Sequence, residues 1–371
     1  MQSFATRVCA WQQRAGRHGL PWQGADPYRV WLSEIMLQQT QVATVIPYFE
    51  RFVARFPTLA ALAAAEEDAV MAQWAGLGYY SRARHLHRAA QRVMERWGGQ
   101  LPSHRADLET LPGIGRSTAA AIAVFAFGRR EAILDGNVKR LLSRHAGIDG
   151  DLNRPATLKS LWARAEALLP SEALPTYTQG LMDLGNLICT RHRPRCEACP
   201  VAADCVHRQQ PPPPRPARPR PALPSEQRFF MVLTAGDRLY LQRRPDAGIW
   251  RRLYCPPDFG DRAEAEAAAL ALVQDFPMAT RPPIRAGAPI SHRFTHRLWT
   301  LHPLWLDLTP ALAGAHLSSH LGIDPSAALN ANSSAAPVPG RFYRREEWEM
   351  LGLPQPIRRL LLAGPPAVGL F

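Results

Sequence analysis

Cys189, Cys196, Cys199 and Cys205 stand in a C-x6-C-x2-C-x5-C spacing, while the other two cysteines, Cys9 and Cys255, stand alone. Four thiolates in one short loop can enclose a single metal centre, and zinc and an iron–sulfur cluster are both chemically admissible. Zinc sites usually pair two C-x2-C turns. Only one such turn exists here, and the six-residue gap suits a larger cage. In a reducing compartment a cluster of this kind favours metal over disulfides. Arg191, Arg193 and Arg195 stud the loop, as they would if it also pressed on phosphates.

Two carboxylates have settings that could do acid–base or charge chemistry. Glu34 is the only acid between Val30 and Thr40, with Ser33, Ile35, Met36 and Leu37 around it. A lone glutamate on an amphipathic helix is ordinarily a surface residue. In so apolar a setting its pKa would instead rise toward the range useful to a general acid. Asp135 stands in Leu134-Asp135-Gly136-Asn137-Val138-Lys139-Arg140, twenty residues beyond Gly115. Considered alone, it reads as a helix N-cap or turn former. Upstream lies Leu111-Pro112-Gly113-Ile114-Gly115, ahead of the apolar stretch Ser117 to Phe127. A turn with two glycines opening a helix exposes backbone N–H groups where the helix dipole favours anions. By itself the same string could be a tight turn between two helices.

These groups need rigid elements to position them. From Tyr28 to Gly185 apolar residues recur at three and four spacings, with Pro or Gly punctuation at Pro57, Gly76, Pro112 to Gly115, Gly128 and Pro170. That pattern predicts an almost wholly helical region. Proline is then nearly every second residue from Gln209 to Pro224, which predicts a semi-rigid extended linker. Beyond it, Arg228 to Thr234 and Leu239 to Arg243 read as strands around an Ala235-Gly236-Asp237 turn. Asp261 to Gln274 reads as helix, Ile290 to Leu308 as strand, and Thr309 to Gly340 as partly mobile. The expected organisation is a helical domain over 1–207, a linker over 208–225 and an α+β domain over 226–371.

The 371 residues suffice for two cored domains. A net charge of +13 points to a polyanionic partner. Residues 1–225 hold 28 Lys and Arg against 18 Asp and Glu, so most of the excess sits there. No apolar run approaches the ~20 residues of a membrane helix. Arg7, Arg14 and Arg17 interrupt the N-terminal stretch where a signal peptide would need an apolar core. These features lead us to expect an intracellular protein with no membrane contact.

The cysteine spacing resembles the four-iron, four-sulfur loop of the endonuclease III and MutY superfamily of DNA glycosylases. Ser33 to Val42 resembles the signature of the MutY family of A/G-specific adenine DNA glycosylases, whose essential glutamate stands at the position of Glu34. Pro21-Trp22 and Gly76-Leu77-Gly78-Tyr79-Tyr80-Ser81-Arg82-Ala83-Arg84 extend the likeness over nearly all of residues 10–205. Gly248-Ile249-Trp250-Arg251-Arg252-Leu253-Tyr254 resembles the Gly-x-Trp-x-x-Leu pattern of the Nudix-like module appended to MutY proteins. The helix after Pro257 offers Glu264 and Glu266 but lacks the Arg-Glu-x-x-Glu-Glu string of a working Nudix hydrolase. The resemblance implies a mainly α helix–hairpin–helix glycosylase domain with an iron–sulfur loop, plus a C-terminal α+β Nudix-like domain.

For function, the resemblance implies a monofunctional glycosylase removing adenine mispaired with 8-oxoguanine or guanine in double-stranded DNA. Glu34 and Asp135 would be its catalytic pair, and the four cysteines would ligate a [4Fe–4S] cluster. Trp22, Leu37, Gln39, Thr40, Tyr79, Arg82, Gly113, Gly115, Ser117 and Asn137 would contact DNA or the base. The Gly-flanked pair Tyr79-Tyr80 beside Arg82 and Arg84 reads as a wedge into a base stack with phosphate clamps, and the resemblance implies that Tyr79 and Gln39 fill the space around the flipped base and its partner. Phe294-Thr295-His296 resembles the short loop that senses 8-oxoguanine, with Thr295 where the family often has serine. Ser117 stands where bifunctional relatives carry a Schiff-base lysine. The protein is expected to act as a monomer in a bacterial-type cytoplasm, associated with the nucleoid through DNA. A bifunctional endonuclease III-like glycosylase/lyase and a non-catalytic iron–sulfur DNA-binding protein are the rival readings. A Nudix pyrophosphohydrolase is weaker for want of the metal-binding helix.

Overall fold

The computed structural model describes residues 2–210, 222–274, 281–312 and 340–366. Its helices run α1 (Phe4–Ala15), α2 (Pro27–Met36), α3 (Val42–Arg55), α4 (Leu59–Ala63), α5 (Glu67–Trp74) and α6 (Ser81–Trp97). They continue with α7 (Arg105–Glu109), α8 (Arg116–Phe127), α9 (Gly136–Ala146), α10 (Pro155–Ala167), α11 (Leu174–Asp183) and α12 (Val206–Gln209). All but α5 belong to one folding unit, Met1–Ala65 with Ser81–Ala217. The other unit joins Glu66–Tyr80 to Arg218–Phe371.

Local chemistry explains where the helices of the first unit begin and end. Asp26 caps α2 by accepting from the Tyr28 and Arg29 amides, and Pro27 supplies a preset φ at the first turn. Helices α8 and α9 both stop at a left-handed glycine, Gly128 and Gly147. Helix α8 is buried along Ala119 to Val124. Its small side chains let other helices approach closely, as suits a helix at the centre of a bundle. Around it, Val8, Trp11, Leu141, Leu142, Tyr177 and Leu181 form part of one apolar core. Among the described residues this unit holds no strand, in line with the three–four spacing of its apolar positions.

The second unit is built on one mixed sheet. Strand β1 (Ser225–Ala235) runs parallel to β7 (Leu298–Asp307) in register from Ser225 opposite Leu298 to Thr234 opposite Asp307. On β1's other side it turns through Gly236 into antiparallel β2 (Arg238–Arg243). Short strands β3 (Tyr254–Cys255), β4 (Asp258–Phe259), β5 (Arg285–Ala286), β6 (Ile290–Arg293) and β8 (Gly340–Arg344) complete it. Helix α13 (Arg262–Val273), capped by Asp261, packs Ala265, Ala268 and Ala269 on one sheet face with Met231, Leu233 and Leu304. Ile357 and Leu360 of the helix Gln355–Ala363 cover the other face with Phe230, Val232 and Leu301. The expected strand over Ile290 to Leu308 is thus two strands, with 294–297 as the turn between them. Most of the proposed linker and most of the segment expected to be mobile lie outside the described residues.

Candidate active site and cysteine loop

Helix α2 turns Val30, Trp31, Leu32, Ile35 and Met36 into the interior and leaves Glu34 half-buried. Protein packed around its carboxyl pushes the Glu34 pKa from an ordinary 4.5 up to about 8, first by desolvation and then by the charge of Asp135. The two carboxylates, far apart in sequence, therefore share one electrostatic neighbourhood. Arg82 terminates α2 from the side. Its buried guanidinium donates from Nη1 to the carbonyls of Ile35, Met36 and Gln38 at 2.9, 2.8 and 2.7 Å, and from Nη2 to Thr40 Oγ1 at 3.1 Å. Held this way, the chain turns through Gln39 at φ 59°, a left-handed conformation that a non-glycine residue seldom adopts.

Asp135 is the N-cap of α9. Its Oδ1 accepts from the amides of Asn137 at 2.9 Å and Val138 at 2.7 Å, and no hydrogen bond among the described residues reaches Oδ2. The capping role and an open carboxylate oxygen thus coexist. Ser117, one residue into α8, accepts from the Leu134 amide at 3.0 Å and so pins the residue before Asp135. The hairpin between α7 and α8 contains Gly113 at φ 79°, where an added Cβ would lie 2.8 Å from His85 Cβ. Glycine is required there twice over, by conformation and by space. No side chain caps α8 beyond Gly115, which leaves its first-turn amides available to an anion. Gln38 Nε2 reaches Gly113 O and Thr118 Oγ1, both at 3.4 Å, and joins the end of α2 to the hairpin.

After α11 the chain loosens into a π-helical turn, Leu184–Ile188, and enters the cysteine loop. Cys189, Cys196, Cys199 and Cys205 are free thiols lining one cavity, walled by Leu141, Ile188, Pro194 and Val201. Burial pushes the Cys199 thiol up to about 11, and that of Cys205 up as well. Thiols this buried need a cation to become thiolates. Among the described residues no three His, Cys, Asp or Glu side chains converge on a single-ion position. Four cysteines lining one cavity are a donor set suited to a metal centre held by thiolates.

The other expected contacts are distributed as follows. Trp22 is 6% exposed and packs edge-to-face on Phe49, 5.3 Å between centroids. That places its ring in the core instead of at a DNA surface. Arg82, expected beside phosphates, has its guanidinium on carbonyls. Leu37 and Thr40 are half-buried around the exposed Gln39. Asn137 accepts from Arg140 Nη2 at 2.9 Å. In the second unit, Tyr79 is 47% exposed at φ 49°. Phe294 packs among Trp250, His292 and Trp299, while Thr295 and His296 stand exposed at the β6–β7 turn, which Phe294 N closes on Arg297 O at 2.9 Å.

Arg140 and Arg144 received no role from sequence. Arg140 donates to Cys189 O at 2.8 Å and also to Gly185 O. Arg144 donates to Cys189 Sγ at 3.3 Å, Thr190 O at 2.7 Å and Arg191 O at 3.0 Å. Their i,i+4 spacing on the helix that Asp135 caps was the available signal. Through them the cysteine loop and the carboxylate hang on one helix.

Residues 32–166 match the family described as HhH-GPD superfamily base excision DNA repair protein, and residues 228–363 match the NUDIX domain. The adenine DNA glycosylase of Buchnera aphidicola subsp. Baizongia pistaciae is 34% identical over 314 residues, 82% of this chain and 86% of that protein. That of Buchnera aphidicola subsp. Acyrthosiphon pisum is 31% identical over 96% of both chains. The solved structure of a thermostable thymine-DNA glycosylase superposes with a TM-score of 0.51 at 28% identity, covering 56% of this chain and 95% of that one. The chain belongs to the adenine DNA glycosylase family. It binds DNA and hydrolyses N-glycosyl bonds in base excision repair. Among the described residues no helix is long and apolar enough to cross a membrane.

Proposed function

We propose that the enzyme removes adenine mispaired with 8-oxoguanine or guanine, with Glu34 as general acid and Asp135 as the charge that stabilises the sugar cation. The observation that carries this reading is the Glu34 carboxyl raised to about 8 beside Asp135. Glu34 is then protonated at neutral pH and can donate to a ring nitrogen of a flipped adenine. As the C1′–N9 bond breaks, its electron pair leaves with the base and the sugar becomes oxocarbenium-like. Asp135 keeps Oδ1 on its cap and turns Oδ2 toward that developing charge. Water then adds at C1′ and gives up a proton, and because Ser117 cannot form a Schiff base the reaction ends at the abasic site. The hairpin amides from Gly113 to Gly115 grip a backbone phosphate.

Cys189, Cys196, Cys199 and Cys205 hold a [4Fe–4S] cluster. When bound, it would supply iron–thiolate bonds that staple the loop to itself. Residues 1–207 carry base removal, 208–225 act as a linker, and 226–371 read the base opposite adenine through Phe294, Thr295 and His296. The protein acts as a monomer on the chromosome, in the cytoplasm of a bacterial-type cell.

Base release from duplexes with adenine opposite 8-oxoguanine, guanine or thymine tests the reading. Free adenine from the first two, with little from the third, is expected. Release of thymine from G:T duplexes with adenine left in place would overturn it.

A further inference from the structure

The segment Glu66–Tyr80 lies within the stretch that matches the glycosylase family, yet it folds with the C-terminal sheet. Contacts at three points along the segment hold it there. At the start of α5, Asp68 Oδ1 accepts from Arg243 Nη2 at 3.1 Å and Oδ2 from Tyr254 Oη at 2.8 Å, while Glu67 pairs with Arg252 at 3.2 Å. In the middle, Met71 is buried against Gly352 so closely that a Cβ there would stand 2.7 Å from Met71 Cβ. At the far end Tyr80 Oη accepts from the Gly76 amide and donates to Leu353 O, both at 3.3 Å.

Between the last two contacts the loop presents Tyr79, exposed and left-handed, flanked by Gly76 at φ 98° and Gly78 at φ 77°. Leu353 belongs to the apolar cluster against which Phe294, Trp250 and Tyr254 pack. One core therefore supports both the 294–297 turn and the anchor of the Tyr79 loop.

We propose that Asp68 and Tyr80 are positioning residues through which the C-terminal sheet unit holds the Tyr79 loop, so that the unit reading the opposite base also sets the wedge. The inference rests on the reading of Tyr79 as a wedge. Without the clasp, the turn that passes through Gly76, Gly78 and Tyr79 at positive φ would relax and the tyrosine would lose its fixed direction.

The test uses the full chain and a duplex carrying 2-aminopurine beside an adenine:8-oxoguanine pair, read by fluorescence on binding and by single-turnover adenine release. Tyr80→Phe removes two hydrogen bonds at almost no change in volume, and Asp68→Ala opens the other end. Each should cut the fluorescence rise and the preference for 8-oxoguanine over guanine several-fold, with the melting temperature little changed and release from the guanine mispair less affected. Tyr79→Ala should abolish the fluorescence rise. If Tyr79→Ala abolishes it while Tyr80→Phe and Asp68→Ala behave as wild type, the wedge stands and the clasp is overturned. If Tyr79→Ala leaves the rise intact, the wedge reading fails and the inference falls with it.

Discussion

A carboxyl with a pKa near 8 makes two demands on experiment, one kinetic and one thermodynamic. Glu34→Gln keeps shape but has no transferable proton, and Asp135→Asn keeps a cap oxygen but removes the charge. General-acid catalysis contributes about 10²–10⁴-fold, so each variant should lose at least about a hundredfold in single-turnover rate while still binding mispaired duplex. Turnover near the wild-type rate in either variant would refute that residue's role. The raised pKa also enters stability. The folded state holds the Glu34 proton to higher pH than the unfolded chain does, so this group's contribution to stability falls as pH rises from 4.5 to about 8. Glu34→Gln removes that loss. Its melting temperature should match wild type near pH 4.5 and exceed it by a growing margin toward pH 8; a margin independent of pH would deny the shift. At Ser117, borohydride should trap no substantial enzyme–DNA adduct, and strand breaks should need alkali or heat.

At the scale of elements, α9 joins the two chemistries. Asp135 caps its N-terminus while Arg140 and Arg144, one and two turns on, hold the carbonyls and a sulfur of the cysteine loop. Arg144→Ala should leave the bundle folded by circular dichroism but lower the iron retained per chain on gel filtration. Full iron retention would show the contact to be incidental. The hairpin makes a separate demand. Gly113→Ala places a side chain at φ 79° against His85, a strain of about 1–3 kcal/mol. Reduced stability and weaker affinity for any duplex, matched or mispaired, should follow, because phosphate contacts carry no sequence information. An unchanged unfolding midpoint together with unchanged affinity would contradict this account of the turn.

For the whole molecule, the assignment of Glu66–Tyr80 changes how the C-terminal unit can be tested. Deleting everything after Pro224 would also strip Glu67, Asp68 and Tyr80 of their partners, so altered discrimination could not be traced to the 294–297 turn. A point substitution is cleaner. Thr295→Ala removes one exposed hydroxyl at the tip, and a single recognition hydrogen bond of about 1 kcal/mol predicts a several-fold loss of preference for 8-oxoguanine over guanine. Preserved discrimination would remove Thr295 from the recognition surface.

Much of the molecule was legible in the chain itself, because its signals are local. Three–four apolar spacing marked the helical unit, and two strand-like runs around a glycine turn marked β1 and β2. The Ala/Glu-rich stretch from Asp261 marked α13. The resemblance carried by the Glu34 string, the hairpin and the cysteine spacing led to the glycosylase family that the relatives establish. What lay beyond sequence was every property set by residues distant in the chain. Glu34 owes its pKa to packing and to Asp135, a hundred residues on. Trp22 and Arg82 looked like surface contacts because motif strings carry no depth, and only the fold buries one ring against Phe49 and one guanidinium on the carbonyls ending α2. Nothing local in Glu66 to Tyr80 says that it folds with strands more than 150 residues away. Arg243, Arg252, Tyr254 and Gly352 meet it only when the sheet has formed, so that pairing belongs to tertiary structure alone.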